Sequence, residues 1–155
     1  MEDARFEDSR DAPLHLKALE PDDLPIISAL AQDAVFPAAE MRWQSRQRRF
    51  AVLLNRFRWE DAPTGRREAE RVQTLLVVDD ALKVASQGIA RGDKDMILSL
   101  LSITFEPGED GTGAVVLTLA GDGAIRVDVE ALDVTLKDVT KPYIAPSRKI
   151  PEHPE

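Results

Sequence analysis

Between positions 49 and 59 large apolar side chains occupy both parities of the chain, with Phe50, Val52 and Leu54 at even positions and Ala51, Leu53, Phe57 and Trp59 at odd ones. A period of two with apolar residues on both sides predicts a strand covered on both faces near its middle. If residues 45–48 form a four-residue hairpin loop, Met41 falls opposite Val52 and Trp43 opposite Phe50, which places Trp43 in the core. Past Leu54 the even positions become Arg56 and Arg58, so this end of the strand is expected to leave the core on one side.

The other elements follow from the same reading. Residues 14–19 form a short strand. Asp22 or Asp23 caps a helix in which Ile26, Ile27, Leu30 and Ala31 share a face, and Pro25 is tolerated in its first turn. Residues 35–36 and 40–44 are extended. Residues 71–78 and 82–89 are strands joined by a tight turn at Asp79 and Asp80. Asp93 caps a second short helix through Met96, Ile97 and Leu100, and residues 101–105 return to strand alternation. Beyond a turn-rich loop at 108–113, residues 114–119 and 125–129 pair as a hairpin across 120–123, where glycine permits positive φ. Residues 131–139 fit a strand or a helix equally. The helix-into-strand passages at 27–36 and 98–105 rhyme, as the halves of a duplicated unit would. The fold class that follows is α+β, a single domain dominated by a bent antiparallel sheet or open barrel with two short helices.

A chain of 155 residues fits one domain with its own core. Residues 1–13 hold five acids and, as a large apolar group, Phe6, too little to offset the entropy of ordering. They are expected to be a disordered acidic tail, with the globular domain at 14–140. Residues 141–155 carry Pro142, Pro146, Pro151 and Pro154 and are expected to run extended, with Tyr143, Ile144 and Ile150 available as anchors. The absence of cysteine excludes a disulfide framework, a thiolate metal site and a cysteine nucleophile. No stretch of 18 apolar residues occurs, so a soluble, cytoplasmic protein without a membrane role is expected.

Charge is segregated. Residues 42–71 contain nine arginines against Glu60, Asp61, Glu68 and Glu70, a net +5, which leaves −13 for the remainder of a chain of net charge −8. Arg46, Arg48 and Arg49 fall at the hairpin tip, Arg56 and Arg58 at the strand exit, and Trp59 beside them. Guanidinium groups with an aromatic neighbour suit an acidic protein segment, phosphates or single-stranded bases. The plainer reading is a strand edge whose arginines oppose aggregation or pair with the protein's own acids. The carboxylate pairs Asp22/Asp23, Asp79/Asp80, Asp93/Asp95 and Glu109/Asp110 all sit at caps or turns, where aspartate serves the backbone. The loop at 108–113 is glycine-rich but acidic and lacks a P-loop lysine. His15 and His153 lie at or inside the tails, so neither a histidine base nor a metal site assembles, and no cofactor is expected. The expected function is a non-catalytic binding or adaptor domain that recognises an acidic or anionic partner through the arginine-rich hairpin surface. The alternatives are a weak single-stranded nucleic-acid binder and an enzyme or small-molecule-binding protein with a pocket in the bent sheet. Oligomeric state is not set by these features.

Three strings, residues 49–60 (RFAVLLNRFRWE), 98–107 (LSLLSITFEP) and 121–130 (GDGAIRVDVE), occur in an order and spacing that resembles an alphaproteobacterial family, number 2948 of the domain-of-unknown-function series. The resemblance spans about residues 14–139. It implies a soluble bacterial single-domain protein, and it brings no activity, cofactor or catalytic residue with it.

Overall fold

The computed structural model describes residues 13–57, 70–89, 94–139 and 143–144, with Glu70, Tyr143 and Ile144 described as backbone only. The expected acidic tail, most of the proline-rich tail, Arg58, Trp59 and Asp93 lie outside the described residues. In chain order the elements are β1 (His15–Ala18), α1 (Leu24–Ala31), β2 (Val35–Pro37), β3 (Met41–Gln44), β4 (Arg49–Phe57), β5 (Glu70–Asp79), β6 (Ala81–Gln87), β7 (Ile97–Pro107), β8 (Gly113–Leu119), β9 (Ala124–Val129), β10 (Val134–Asp138) and β11 (Tyr143–Ile144). Single 3-10 turns occupy Pro21–Asp23 and Ala38–Glu40. The strands form one open antiparallel sheet in the order β1-β10-β5-β4-β2-β7-β8-β9-β6, with β3 added to β4 and β11 to β5. It is not a closed barrel, and among the described residues it carries one α-helix rather than two.

The missing second helix is an error of period. Met96, Ile97 and Leu100 stand at helical spacing, but Ile97 is 63% exposed and Leu100 is buried, the opposite faces that a strand gives to residues three apart. Residues 97–107 are one strand, β7, whose register against β8 shifts between Leu100 and Ser102. A bulge inserts one residue and flips the parity of everything after it. The expelled residue is Leu101, 42% exposed. Because 97–107 is one continuous strand, it does not repeat the helix-to-strand passage at 27–36, and the duplication reading fails. The β6 ladder shifts in the same way between Ala81 and Lys83 and leaves Leu82 half exposed.

In α1, Leu24, Ile27 and Ala31 turn inward at helical spacing, whereas Ile26 points to solvent rather than sharing their face. Asp23 occupies the N-cap position without a side-chain capping bond. The chain then bends at Asp33 (φ 67°), and the Asp33 amide donates to the Leu100 carbonyl while the Leu100 amide donates to that of Ala34. The Ser28 hydroxyl accepts the Ile103 amide at 2.9 Å, where β7 has no ladder partner on that side. The helix is thereby stitched to β7.

The β3–β4 hairpin has the expected register, Met41 opposite Val52 and Trp43 opposite Phe50. Trp43 nonetheless is not a core residue; it is 39% exposed, because β3 has β4 as its sole ladder partner and overhangs the margin of the sheet. On β4 the even positions Phe50, Val52, Leu54 and Arg56 are all buried, so the strand's end stays in the core. The odd positions Ala51 and Leu53 are only half-buried, which overturns the expectation of cover on both faces. Residues 134–138 are a strand. Asp79 ends β5 and Asp80 is a single-residue bend rather than a tight hairpin turn, and β5 and β6 do not pair with each other. Asp80 (φ 57°) instead passes the chain from the β4–β10 region to the far edge beside β9. The β8–β9 turn uses positive φ at Gly121 and Asp122. One contiguous apolar cluster runs through both halves, including Phe36, Phe50, Leu76, Leu100, Leu117, Ile125 and Leu136. Each such fully buried side chain contributes about 1.5–3 kcal/mol of transfer free energy.

Candidate functional site

The expected arginine surface divides. Arg56 is fully buried and is part of the framework, because its position on β4 shares the core parity of Leu54. Its Nη2 meets Asp138 Oδ1 at 3.0 Å and Oδ2 at 3.2 Å, and its Nε donates to Thr74 Oγ1 at 2.9 Å. Thr74 donates to Asp138 Oδ1 at 2.8 Å, and the Leu14 amide donates to Asp138 Oδ2 at 2.9 Å. One carboxylate therefore gathers β4, β5, β10 and the residue that leads into β1. A buried pair of this kind is kept by having its hydrogen bonds satisfied, and removing either partner leaves a charge in the core.

Arg48 and Arg49 serve neighbouring turns. Arg48 reaches Glu130 at 2.7 Å, and its carbonyl accepts the Ala81 amide at 2.9 Å. Arg49 meets Asp79 at 2.8 Å. These pairs are half exposed, bind the hairpin tip to the turns at 79–81 and 129–133, and neutralise most of its charge. Arg46 is exposed and has no acidic partner among the described residues. Of the sequence-predicted residues, the four that are described, Arg46, Arg48, Arg49 and Arg56, do not form one free cationic surface.

A different surface emerges from the register. With even β4 positions inward, the odd ones and their cross-strand neighbours face out: Leu53 beside Leu75 and then Lys137 and His15, Ala51 beside Val77 and then Thr135 and Lys17. Arg42 flanks Ala51 on the β3 side. Across β2 and β7 the same face carries the Pro37–Ile97 pair, and Ile97 is 63% exposed. None of these outward residues is buried. The middle of the face is apolar, whereas the solvated side of an antiparallel sheet is ordinarily polar. Its margins are cationic. Arg42 and Lys137 have no acidic partner among the described residues, Arg42 bonding instead to the carbonyls of Ala39 and Met41. Lys17 meets Asp133 at 3.2 Å.

The outward side of β7–β8–β9 is different. There Arg126 bridges Glu106 at 2.7 Å and Asp128 at 3.0 Å, and the hydrogen bonds to Glu106 and then Asp128 raise its pKa above the ordinary arginine value. That side compensates its own charge. Sequence reasoning missed this face because its members come from five strands, β3, β4, β5, β10 and β1, most of them widely separated in the chain. The signal that existed was the odd-parity pair Ala51 and Leu53.

Among the described residues no three histidine, aspartate or glutamate side chains converge as a metal site, and no helix is long and apolar enough to cross a membrane. No curated protein and no solved structure matches the chain. The family model described as "Protein of unknown function (DUF2948)" matches residues 14–153, nearly the whole sequence, and the chain belongs to that family.

Proposed function

We propose that this is a non-catalytic binding or adaptor domain, cytoplasmic and alphaproteobacterial in setting, that holds an acidic protein partner on the outward face of β3–β4–β5–β10–β1. The observation that carries the reading is the combination of an apolar centre at Ala51, Leu53, Leu75 and Val77 with a margin of Arg42, Lys17 and Lys137. Interfaces have this layout, an apolar core inside a charged rim. The margin gives electrostatic preference for an anionic partner, and the centre gives contact area.

Two rival readings find less support. A single-stranded nucleic-acid platform needs exposed aromatic rings for bases to stack on. On this face Phe57 already lies under the Arg71 guanidinium at 3.8 Å. An enzyme or small-molecule site needs convergent polar groups in a concavity. The buried polar residues described, Arg56, Thr74 and Asp138, bond to one another within an apolar interior.

The test is charge reversal read on immobilised poly-glutamate at low salt. Arg42→Glu with Lys137→Glu should weaken retention roughly tenfold, from two lost attractions and the repulsion replacing them. Reversal of the tip, Arg46→Glu with Arg48→Glu, should leave it near the parent. The opposite ranking would return the site to the hairpin tip and sink the proposal.

A further inference from the structure

Resting on that reading, we infer that the element docked on this face is an amphipathic helix of the partner, apolar along one side and acidic on both flanks of that side. The apolar positions lie on the two adjacent strands β4 and β5, while Arg42 sits one strand to one side and Lys137 and Lys17 one and two strands to the other. Strands are about 4.8 Å apart, so the cations flank a stripe about the width of one helix, which is roughly 10 Å across. Successive outward rows, Ala51–Val77 and Leu53–Leu75, are two residues apart along the strands, about 7 Å. One turn of helix brings apolar residues at i and i+4 about 6 Å apart, which suits that spacing.

The backbone excludes the obvious competitor. This is a sheet face rather than an edge, so an extended segment laid on Leu53 and Leu75 would bury peptide groups with no ladder to join. A helix arrives with its backbone hydrogen bonds already made, and helix-in-groove recognition reads apolar anchors at helical spacing. The surplus of cations also disfavours a second copy, since two such faces would meet like charge to like.

Two fluorescein-labelled 18-residue peptides of identical composition test this against the full-length protein by anisotropy. One places leucine at i, i+3, i+4 and i+7 with glutamate on the flanks; the other scrambles that order. The amphipathic peptide is expected to bind at least roughly tenfold tighter. Leu53→Gln with Leu75→Gln should remove that advantage while the far-ultraviolet circular dichroism stays that of the folded parent, because neither side chain belongs to the buried core. Equal binding of the two peptides, with sensitivity to Arg42→Glu retained, overturns the helix but keeps the acidic partner. Indifference of both peptides to Arg42→Glu and Lys137→Glu overturns both. A concentration-dependent dimer in sedimentation that Leu53→Gln with Leu75→Gln dissolves assigns the face to a second copy instead. Tighter binding of a labelled 15-nucleotide oligothymidylate than of either peptide assigns it to nucleic acid.

Discussion

Replacing Arg56 by methionine removes the guanidinium from a site with no solvent exposure and leaves Asp138, itself almost wholly buried, holding its charge against the Thr74 hydroxyl and the Leu14 amide alone. Breaking one side of a buried, hydrogen-bonded ion pair costs about 3–5 kcal/mol. A domain of this size has roughly 5–15 kcal/mol in total, so the loss is about a fifth or more of its stability. At about 2–4 °C per kcal/mol, Tm should fall by roughly 6–20 °C. The complementary change, Asp138→Leu, should cost a similar amount, because an unpaired arginine then remains in the core. The double variant Arg56→Met/Asp138→Leu should recover much of the loss, since neither charge is stranded, and a double-mutant cycle should return a coupling of about 2 kcal/mol or more. Urea unfolding followed by far-ultraviolet circular dichroism reads all four proteins, with the slope expected to be unchanged. Single-variant losses below about 1 kcal/mol, with no coupling, would match an exposed surface pair and refute the buried assignment.

Arg48 adopts left-handed φ of 56°, so Arg48→Gly should be more stable than Arg48→Ala by roughly 1 kcal/mol, the reverse of the usual order; a more stable alanine variant would contradict the turn geometry. A methyl group added at Gly113 would come within 2.5 Å of Phe105 Cζ, and Gly113→Ala should lower stability by about 1–3 kcal/mol in the same urea assay. The β7 bulge separates two adjacent leucines: Leu100→Ala should cost about 2–5 kcal/mol and Leu101→Ser less than about 0.5, whereas equal effects would mean that the bulge is misplaced.

Periodicity was a good guide along the longer alternating runs and a poor one where three apolar residues had to decide between helix and strand. The Trp43–Phe50 register followed from loop length alone, because a four-residue turn leaves one pairing that keeps the parity of both strands. Met96, Ile97 and Leu100 misled because apolar residues one and four positions apart fit a helical face, whereas on β7 Ile97 and Leu100 fall on opposite sides, one exposed and one buried. Arg56 misled for a different reason. Charge predicts exposure unless a partner is known, and its partner Asp138 is 82 positions away. The same distance in sequence hid the outward face. Lys17 and Lys137 come to share a face with Arg42 through the local β3–β4 hairpin and three further ladders that are not local. What local reading did detect, apolar residues on both parities of β4, was correct as an observation and incomplete as an inference. Ala51 and Leu53 are only partly covered by the domain itself, and the proposed binding face is built on them.

Amide chemical shifts of the isotope-labelled protein, titrated with the acidic amphipathic peptide, give the most direct test of that face. The account predicts perturbations concentrated at Ala51, Leu53, Leu75, Val77 and Thr135, with the amides of Arg126 to Val129 unmoved. Shifts confined to residues 45–48, or spread evenly over the domain, would contradict it.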